Sequence, residues 1–212
     1  MTDSPAKPFL YALSQHVLVV MFKLFHRLEV HGAEHVPSTG GCLLASNHVS
    51  FLDPPAIGSA VANRVVRFMA RDTLFKKGFG NWFMKGVAAI PISRDRGDIG
   101  ALKRCIHCLR HGDCIGIFPE GTRSRDGKIA KVKAGIGFII MSAGVPVVPV
   151  FIDGTYAALP RGGLWPRPKK VRVFIGPPIS TDELLKYGKG RESYEPVSQL
   201  IMERIQALQP VA

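Results

Sequence analysis

In the stretch Ser46-Asn47-His48-Val49-Ser50-Phe51-Leu52-Asp53-Pro54, an imidazole stands five positions ahead of a carboxylate, directly after the apolar run Cys42-Leu43-Leu44-Ala45. Such a pair can do general base work. One ring nitrogen takes a proton while the carboxylate holds the other and stabilises the imidazolium as it forms. The spacing sets a condition: on a regular helix five residues advance the direction by about 140° beyond a full turn, so the two side chains meet only if the chain between them bends. A strand end running into a helix start supplies such a bend. Taken singly, each residue has a plainer role, Asp53 as the N-cap of a helix that Pro54 opens and His48 as a loop histidine. Ser50 lies between them, but no G-x-S-x-G elbow surrounds it and no serine or cysteine is placed as a covalent nucleophile. The pattern favours direct attack by a substrate hydroxyl that His48 activates.

A second polar cluster, Pro119-Glu120-Gly121-Thr122-Arg123-Ser124, follows Cys114-Ile115-Gly116-Ile117-Phe118, a continuous apolar run of buried-strand type. Glu120, Thr122 and Arg123 suit an anionic, oxygen-rich group, with Arg123 as a planar multi-donor fork. The alternative is a turn stapled by an Arg–Glu pair. Arg94, Lys131 and Lys133 flank this region in sequence. Cys105-Ile106-His107-Cys108 has the look of a metal clip, but it falls on a predicted helix with no second Cys/His pair of ligand spacing after it. It reads as structural thiols, and no metal site is expected.

The elements that must position these clusters can be read from pattern. Strands are predicted at 42–46, 65–70, 87–92, 114–118, 145–152 and 171–175, alternating with helices near 53–62, 72–85, 97–110, 133–143, 181–187 and 194–208. That alternation predicts an α/β fold, a single-domain sandwich of a largely parallel central sheet flanked by helices. In such sheets ligands collect beyond the carboxyl ends of strands, where both polar clusters lie. Pro146 and Pro149 inside the fifth strand predict ladder hydrogen bonds missing on one side. The length of 212 residues fits one domain, and 46% hydrophobic with 21% charged residues excludes a disordered chain.

Residues 9–28, FLYALSQHVLVVMFKLFHRL, carry a helical apolar period interrupted by Gln15, His16, Lys23 and His26. They make a poor transmembrane span of about 20 apolar residues. Two readings stand: a helix packed on the domain, or an amphipathic, apolar helix lying in a membrane interface. The boundaries follow as residues 1–28 for this membrane-associating helix and 29–212 for the domain. Lys and Arg outnumber Asp and Glu by 28 to 16, a net charge of +12 that favours an anionic partner. The segment from Arg161 to Lys170 reads as a basic loop around Trp165; together with the charge it suits a non-catalytic membrane- or nucleic-acid-binding module, though no nucleic-acid motif is visible. Four cysteines without a secretory signal fit reduced thiols at a cytosolic face.

Asn47-His48-Val49-Ser50-Phe51-Leu52-Asp53 resembles the NHxxxxD box of the glycerolipid acyltransferases, the 1-acylglycerol-3-phosphate acyltransferase (PlsC-like) family. Phe118-Pro119-Glu120-Gly121-Thr122-Arg123-Ser124 is similar to its FPEGTRS block. Ile90-Pro91-Ile92-Ser93-Arg94, Val145-Pro146-Val147-Val148-Pro149-Val150 and Val132-Lys133-Ala134-Gly135 resemble its lesser blocks, in order, over roughly residues 29–176. The chain departs from the pattern at Ala88, where the family usually has glycine, and at Val132 and Ala134 beside the carried-over Lys133. The resemblance implies acyl transfer from a thioester, acyl-CoA or acyl-carrier protein, to the free sn-2 hydroxyl of a lysophosphatidic-acid-like acceptor, giving phosphatidic acid. His48 and Asp53 would be catalytic. Asn47, Arg94, Glu120, Gly121, Thr122, Arg123 and Lys133 would be substrate-binding, mainly at the acceptor's phosphate. It implies no cofactor or metal, no nucleic acid, and a peripheral or monotopic place on the cytoplasmic face of an anionic membrane. A different lyso-lipid acceptor is an alternative within the same chemistry.

Overall fold

The computed structural model describes residues 8–62, 64–75, 78–93, 99–132 and 135–210. Among these residues seven strands form one sheet: β1 (Glu29–His31), β2 (Cys42–Ser46), β3 (Val66–Arg71), β4 (Ile90–Ile92), β5 (Cys114–Ile117), β6 (Val147–Asp153) and β7 (Arg172–Ile175). Their order across the sheet is β1-β7-β6-β2-β5-β3-β4. Every pairing is parallel except β6 with β7. The helices are α1 (Pro8–His26), α2 (Asp53–Ala60), α3 (Phe79–Gly86), α4 (Ile99–Arg110), α5 (Gly135–Ala143), α6 (Thr155–Ala158), α7 (Thr181–Leu185) and α8 (Tyr194–Gln206). The α/β class and the largely parallel sheet match the pattern reading. Two elements escape it: β1, whose three residues are too few to show a period, and α6, a single turn.

Strand β2 sits between β5 and β6 and is buried along its whole length. Its side chains alternate between two cores, as a strand with both faces covered requires. Leu43 and Ala45 join Ile115, Ile117, Val147 and Phe151 under α4, α5 and α8. Cys42 and Leu44 join Val148, Val150 and Ile152 under α2 and α1. Pro149 lies in β6 opposite Ala45 of β2, and its carbonyl accepts from Gly176 N on the β7 side. The N–H that proline lacks would face the same side, just past the last paired residue, Ile175. The missing ladder bond therefore falls where β7 has already ended, which is how a central strand tolerates it.

Helix α1 is docked by one face. Phe22 is fully buried in the second core, Gln15 Nε2 donates to the carbonyls of Gly58 and Val61 at 2.9 Å each, and Tyr11 Oη accepts from Val66 N at 2.9 Å. Lys23 stands in its last turn, where a cation complements the helix dipole, and Arg27 at φ 45° ends it. The opposite face exposes Phe9, Leu13, Val17, Val20, Leu24 and Phe25. The packed reading of this segment holds for its buried face. It is the one helix among the described residues long and apolar enough to cross a membrane.

Ala88, the departure from a family glycine, has φ 54°, the left-handed region glycine enters without strain. Its carbonyl accepts from Arg67 Nε at 2.9 Å, and Arg67, itself buried, also pairs with Asp113. That tie holds the turn into β4 in a conformation the alanine side chain opposes.

Truncating the buried anchor of α1 tests how firmly the helix is docked. Phe22→Ala is expected to cost about 3–5 kcal/mol in urea unfolding, whereas Leu13→Ala on the open face stays within about 0.5 kcal/mol. Equal effects of the two would show that α1 is not held through Phe22.

Candidate active site

Three strands end side by side, and their following loops converge. After β2 the chain turns sharply, and the carboxylate of Asp53 is what the turn closes on. Its Oδ2 accepts from Val49 N and Ser50 N, both at 2.7 Å, and from His48 Nδ1 at 2.8 Å. Its Oδ1 accepts from Thr155 Oγ1 at 2.6 Å. The bend that the His–Asp spacing demanded is therefore built by the aspartate itself, which gathers the backbone N–H groups of the intervening residues. This corrects the capping role expected of Asp53. The residue before α2 is Leu52, with no side-chain cap, and the carboxylate reaches back into the loop.

Asp53 is fully buried, while the His48 side chain keeps 14% of its surface open. Four donors converge on the carboxylate, so the hydrogen between the two groups belongs to the ring: Nδ1 carries it and Nε2 is left with a free lone pair. The ring lies on Phe118, with centroids 3.9 Å apart and planes 16° apart. Phe118 is in turn backed by Phe68 at 6.2 Å. Gly116 of β5 makes that stack possible, because any Cβ there would strike the Phe68 ring.

The loop after β5 clamps the backbone of His48 from both sides. Glu120 Oε2 accepts from His48 N at 2.8 Å, and Ser124 N donates to His48 O at 2.8 Å. The other oxygen of Glu120 accepts from Ala130 N at 3.3 Å. Burial pushes the Glu120 carboxyl up to about 7 against the pull of these two donors, and nearby Asp53 adds to the rise. Arg123 leaves the same loop, and its guanidinium carbon lies 3.4 Å from the ring centre of Phe51. The flat cation is thereby held on an exposed aromatic face at the rim of the site. Gly121 and Thr122 are exposed beside it.

Two residues expected at the substrate have their side chains engaged by backbone groups. Asn47 is buried, with Nδ2 donating to Ile152 O at 2.9 Å and Oδ1 accepting from Ile152 N at 2.8 Å, so it ties β2 to β6. Glu120 is likewise buried, with both oxygens taken by backbone donors. It shapes the loop, where a carboxylate facing a phosphate would repel it. Arg94 and Lys133 lie outside the described residues. Ser50, between His48 and Asp53, donates to Leu159 O at 2.7 Å and accepts from Leu52 N at 3.1 Å, a staple rather than a nucleophile. Cys105 and Cys108 are buried on α4, and burial pushes the Cys105 thiol up to about 12.

The sequence reading missed Thr155, Phe118 and Phe51 as parts of the site. Thr155 is the first residue of α6, after Gly154 at φ 84°, where a side chain would strike Lys170 O. The Gly-Thr pair after β6 was the available signal, since a hydroxyl at a third strand end belongs to the same crevice. A cavity of about 490 Å³ opens nearby between Val49, Lys128, Asp153, Tyr156 and Gln206; neither His48 nor Arg123 lines it.

Residues 27–153 match the Acyltransferase family. A chloroplastic 1-acyl-sn-glycerol-3-phosphate acyltransferase of Brassica napus is 34% identical over 73% of this chain. The 1-acyl-sn-glycerol-3-phosphate acyltransferase of Bacillus subtilis is 25% identical, over 94% of this chain and 97% of its own length. The crystal structure of the 1-acyl-sn-glycerophosphate acyltransferase PlsC from Thermotoga maritima superposes with a TM-score of 0.80 at 28% identity, covering 97% of this chain and 82% of that one. The chain spans only 46% of the Brassica protein's length.

The Glu120 clamp makes stability pH-dependent with a definite sign. A carboxyl raised from 4.5 to about 7 on folding favours the protonated state, so its contribution is full below about 4.5 and is lost as pH rises through about 7. Thermal unfolding of the protein relative to Glu120→Gln, which titrates nothing here, is expected to lose ground between pH 5 and 8. A difference that is flat or grows with pH would show that the carboxylate is the favoured form.

Proposed function

The chain belongs to the acyltransferase family, and from that membership and the His48–Asp53 pair we propose that it moves a fatty acyl group from a thioester donor to the free sn-2 hydroxyl of 1-acylglycerol-3-phosphate, giving phosphatidic acid. The observation that carries the reading is the 2.8 Å bond from His48 Nδ1 to a fully buried Asp53 that three further donors fix in place. It leaves Nε2 as the basic nitrogen. Nε2 takes the proton of the acceptor hydroxyl as its oxygen attacks the thioester carbonyl. The tetrahedral intermediate then expels the thiolate, which receives that proton from the imidazolium. Asp53 stabilises the transient cation. General base assistance of this kind supplies roughly 10²–10⁴-fold. The stapled Ser50 supports direct transfer without an acyl-enzyme.

Arg123, held over the Phe51 ring, supports recognition of the acceptor's phosphate, with Gly121 and Thr122 beside it and Arg94 and Lys133 as further cations. Donor and product are amphiphiles, and each CH₂ drawn out of a bilayer costs about 0.8 kcal/mol, so a site fed from the membrane surface avoids extracting whole chains. The exposed apolar face of α1 and the +12 charge support peripheral or monotopic attachment to an anionic membrane through residues 1–28, with 29–212 as the acyltransferase domain. Four free, buried cysteines support a cytoplasmic face.

The experiment is an acceptor panel on anionic vesicles with acyl-CoA and acyl-carrier protein as donors. Lysophosphatidic acid is expected to be acylated. His48→Ala is expected to lose roughly 10²–10⁴ in turnover with unfolding unchanged, and Arg123→Ala to raise KM for the phosphorylated acceptor roughly 10- to 100-fold. Near-normal turnover in His48→Ala would remove the base from the mechanism. Preference for a lyso-lipid with another headgroup would change the acceptor, and no transfer to any acceptor would leave a membrane-binding module.

A further inference from the structure

The loop from α6 to β7 is exposed at every residue from 161 to 170. It carries Arg161, Arg167, Lys169 and Lys170, no carboxylate, and at its tip Leu164 and Trp165, which are 88% and 82% exposed. An aromatic and an aliphatic side chain so fully in water, flanked in sequence by cations, is unfavourable for a surface that meets only solvent.

The tip is held in place. Arg167 N donates to Ala158 O at 2.7 Å and closes the neck, Gly163 N donates to Pro160 O at 2.9 Å and makes the turn, and Pro166 and Pro168 restrict the returning leg. The outgoing leg starts at the active site: Leu159 O accepts from Ser50 Oγ at 2.7 Å, and Arg161 donates to Arg123 O at 3.1 Å. The returning leg ends on α1, where the His26 ring bonds Lys169 O at 3.2 Å and Val171 N donates to His26 O at 2.8 Å. Leu24 and Phe25 are exposed in that last turn of α1.

We propose that Leu164 and Trp165 are a second membrane-inserting element, distinct from α1, with Arg161, Arg167 and Lys169 seating anionic phospholipid headgroups around them. Lys170 is already paired with Glu29 at 2.7 Å and stands outside this set. The occupant is the surface of an anionic bilayer. Tryptophan at the level of the headgroups with cations beside it is the composition an interface selects. Single-stranded nucleic acid asks instead for a basic groove with successive stacking faces, and Leu164 offers none. Two apolar side chains are also far too little for a stable protein interface. The loop joins the rim of the His48 site to the end of α1, so its insertion sets the mouth of the site against the lipid surface. This rests on the reading that the acceptor is membrane-borne.

The chain holds two tryptophans, so in full-length Trp82→Phe the emission reports Trp165 alone. With vesicles of phosphatidylglycerol and phosphatidylcholine carrying brominated acyl chains, that emission is expected to shift to the blue and be quenched, with little effect from pure phosphatidylcholine. In the otherwise unaltered chain, the double change Leu164→Ser and Trp165→Ser is expected to lower turnover of lysophosphatidic acid in anionic vesicles roughly tenfold. Turnover of a short-chain, water-soluble acceptor is expected to stay unchanged. Unquenched Trp165, a shift given by an RNA oligonucleotide and not by vesicles, or equal losses on both acceptors would overturn the proposal. The quenching arm needs no turnover. If the unaltered protein acylates neither acceptor, the proposed reaction fails while quenching still decides on the tip.

Discussion

The carboxylate of Asp53 is the point on which the site is built. A charge in a fully buried position is tolerated only when its lone pairs are filled, and here four donors fill them: two backbone N–H groups, an imidazole and a threonine hydroxyl. Each donor comes from a different constraint. The two amides fold the chain after β2 into its bend, the imidazole is drawn over the carboxylate by that bend, and the hydroxyl arrives from the end of β6. Removing the carboxylate would therefore free the loop as well as the ring. One buried group fixes backbone shape, tautomer and the packing of two strand ends together.

The sheet order explains why these parts can meet. β2 is flanked by β5 and β6, so the loops that leave all three strands open into one crevice. From the β5 side, Glu120 and Ser124 grip the peptide of His48, and Phe118 lies under its ring. From the β6 side, Asn47 and Ile152 exchange a pair of hydrogen bonds and Thr155 completes Asp53. The histidine is thus gripped at its backbone by one neighbouring loop and, through Asp53, oriented at its ring by another. Such preorganisation lets a base contribute in the transition state without reorganising first.

Much of this was legible in the sequence, and the reasons differ from residue to residue. Apolar runs and alternation reveal β2, β5 and β6 because buried parallel strands leave a dense hydrophobic record. The His48–Asp53 pair could be seen as a pair because its spacing fits no regular element and so demands a bend. What the spacing cannot say is who makes the bend: Asp53, which taken singly looks like a cap, is the acceptor that folds the loop. Asn47 and Glu120 were assigned to substrate because a polar residue in a motif carries no mark of whether its partner is a ligand or a backbone. Thr155 and Phe118 escape the sequence for the same reason: their partners, Asp53 and His48, lie about 100 and about 70 residues away in the chain, and only the sheet order brings them together. The short strand β1 leaves no period to read.

The central claim is that Asp53 sets His48 with its hydrogen on Nδ1 and a free pair on Nε2. Nitrogen-15 NMR of histidine-labelled protein, with His48 assigned through His48→Gln, reads both nitrogens directly. The account expects a protonated Nδ1, a bare Nε2, and loss of that fixed tautomer in Asp53→Ala. A neutral ring carrying its hydrogen on Nε2, or a ring whose signals ignore Asp53→Ala, would contradict it.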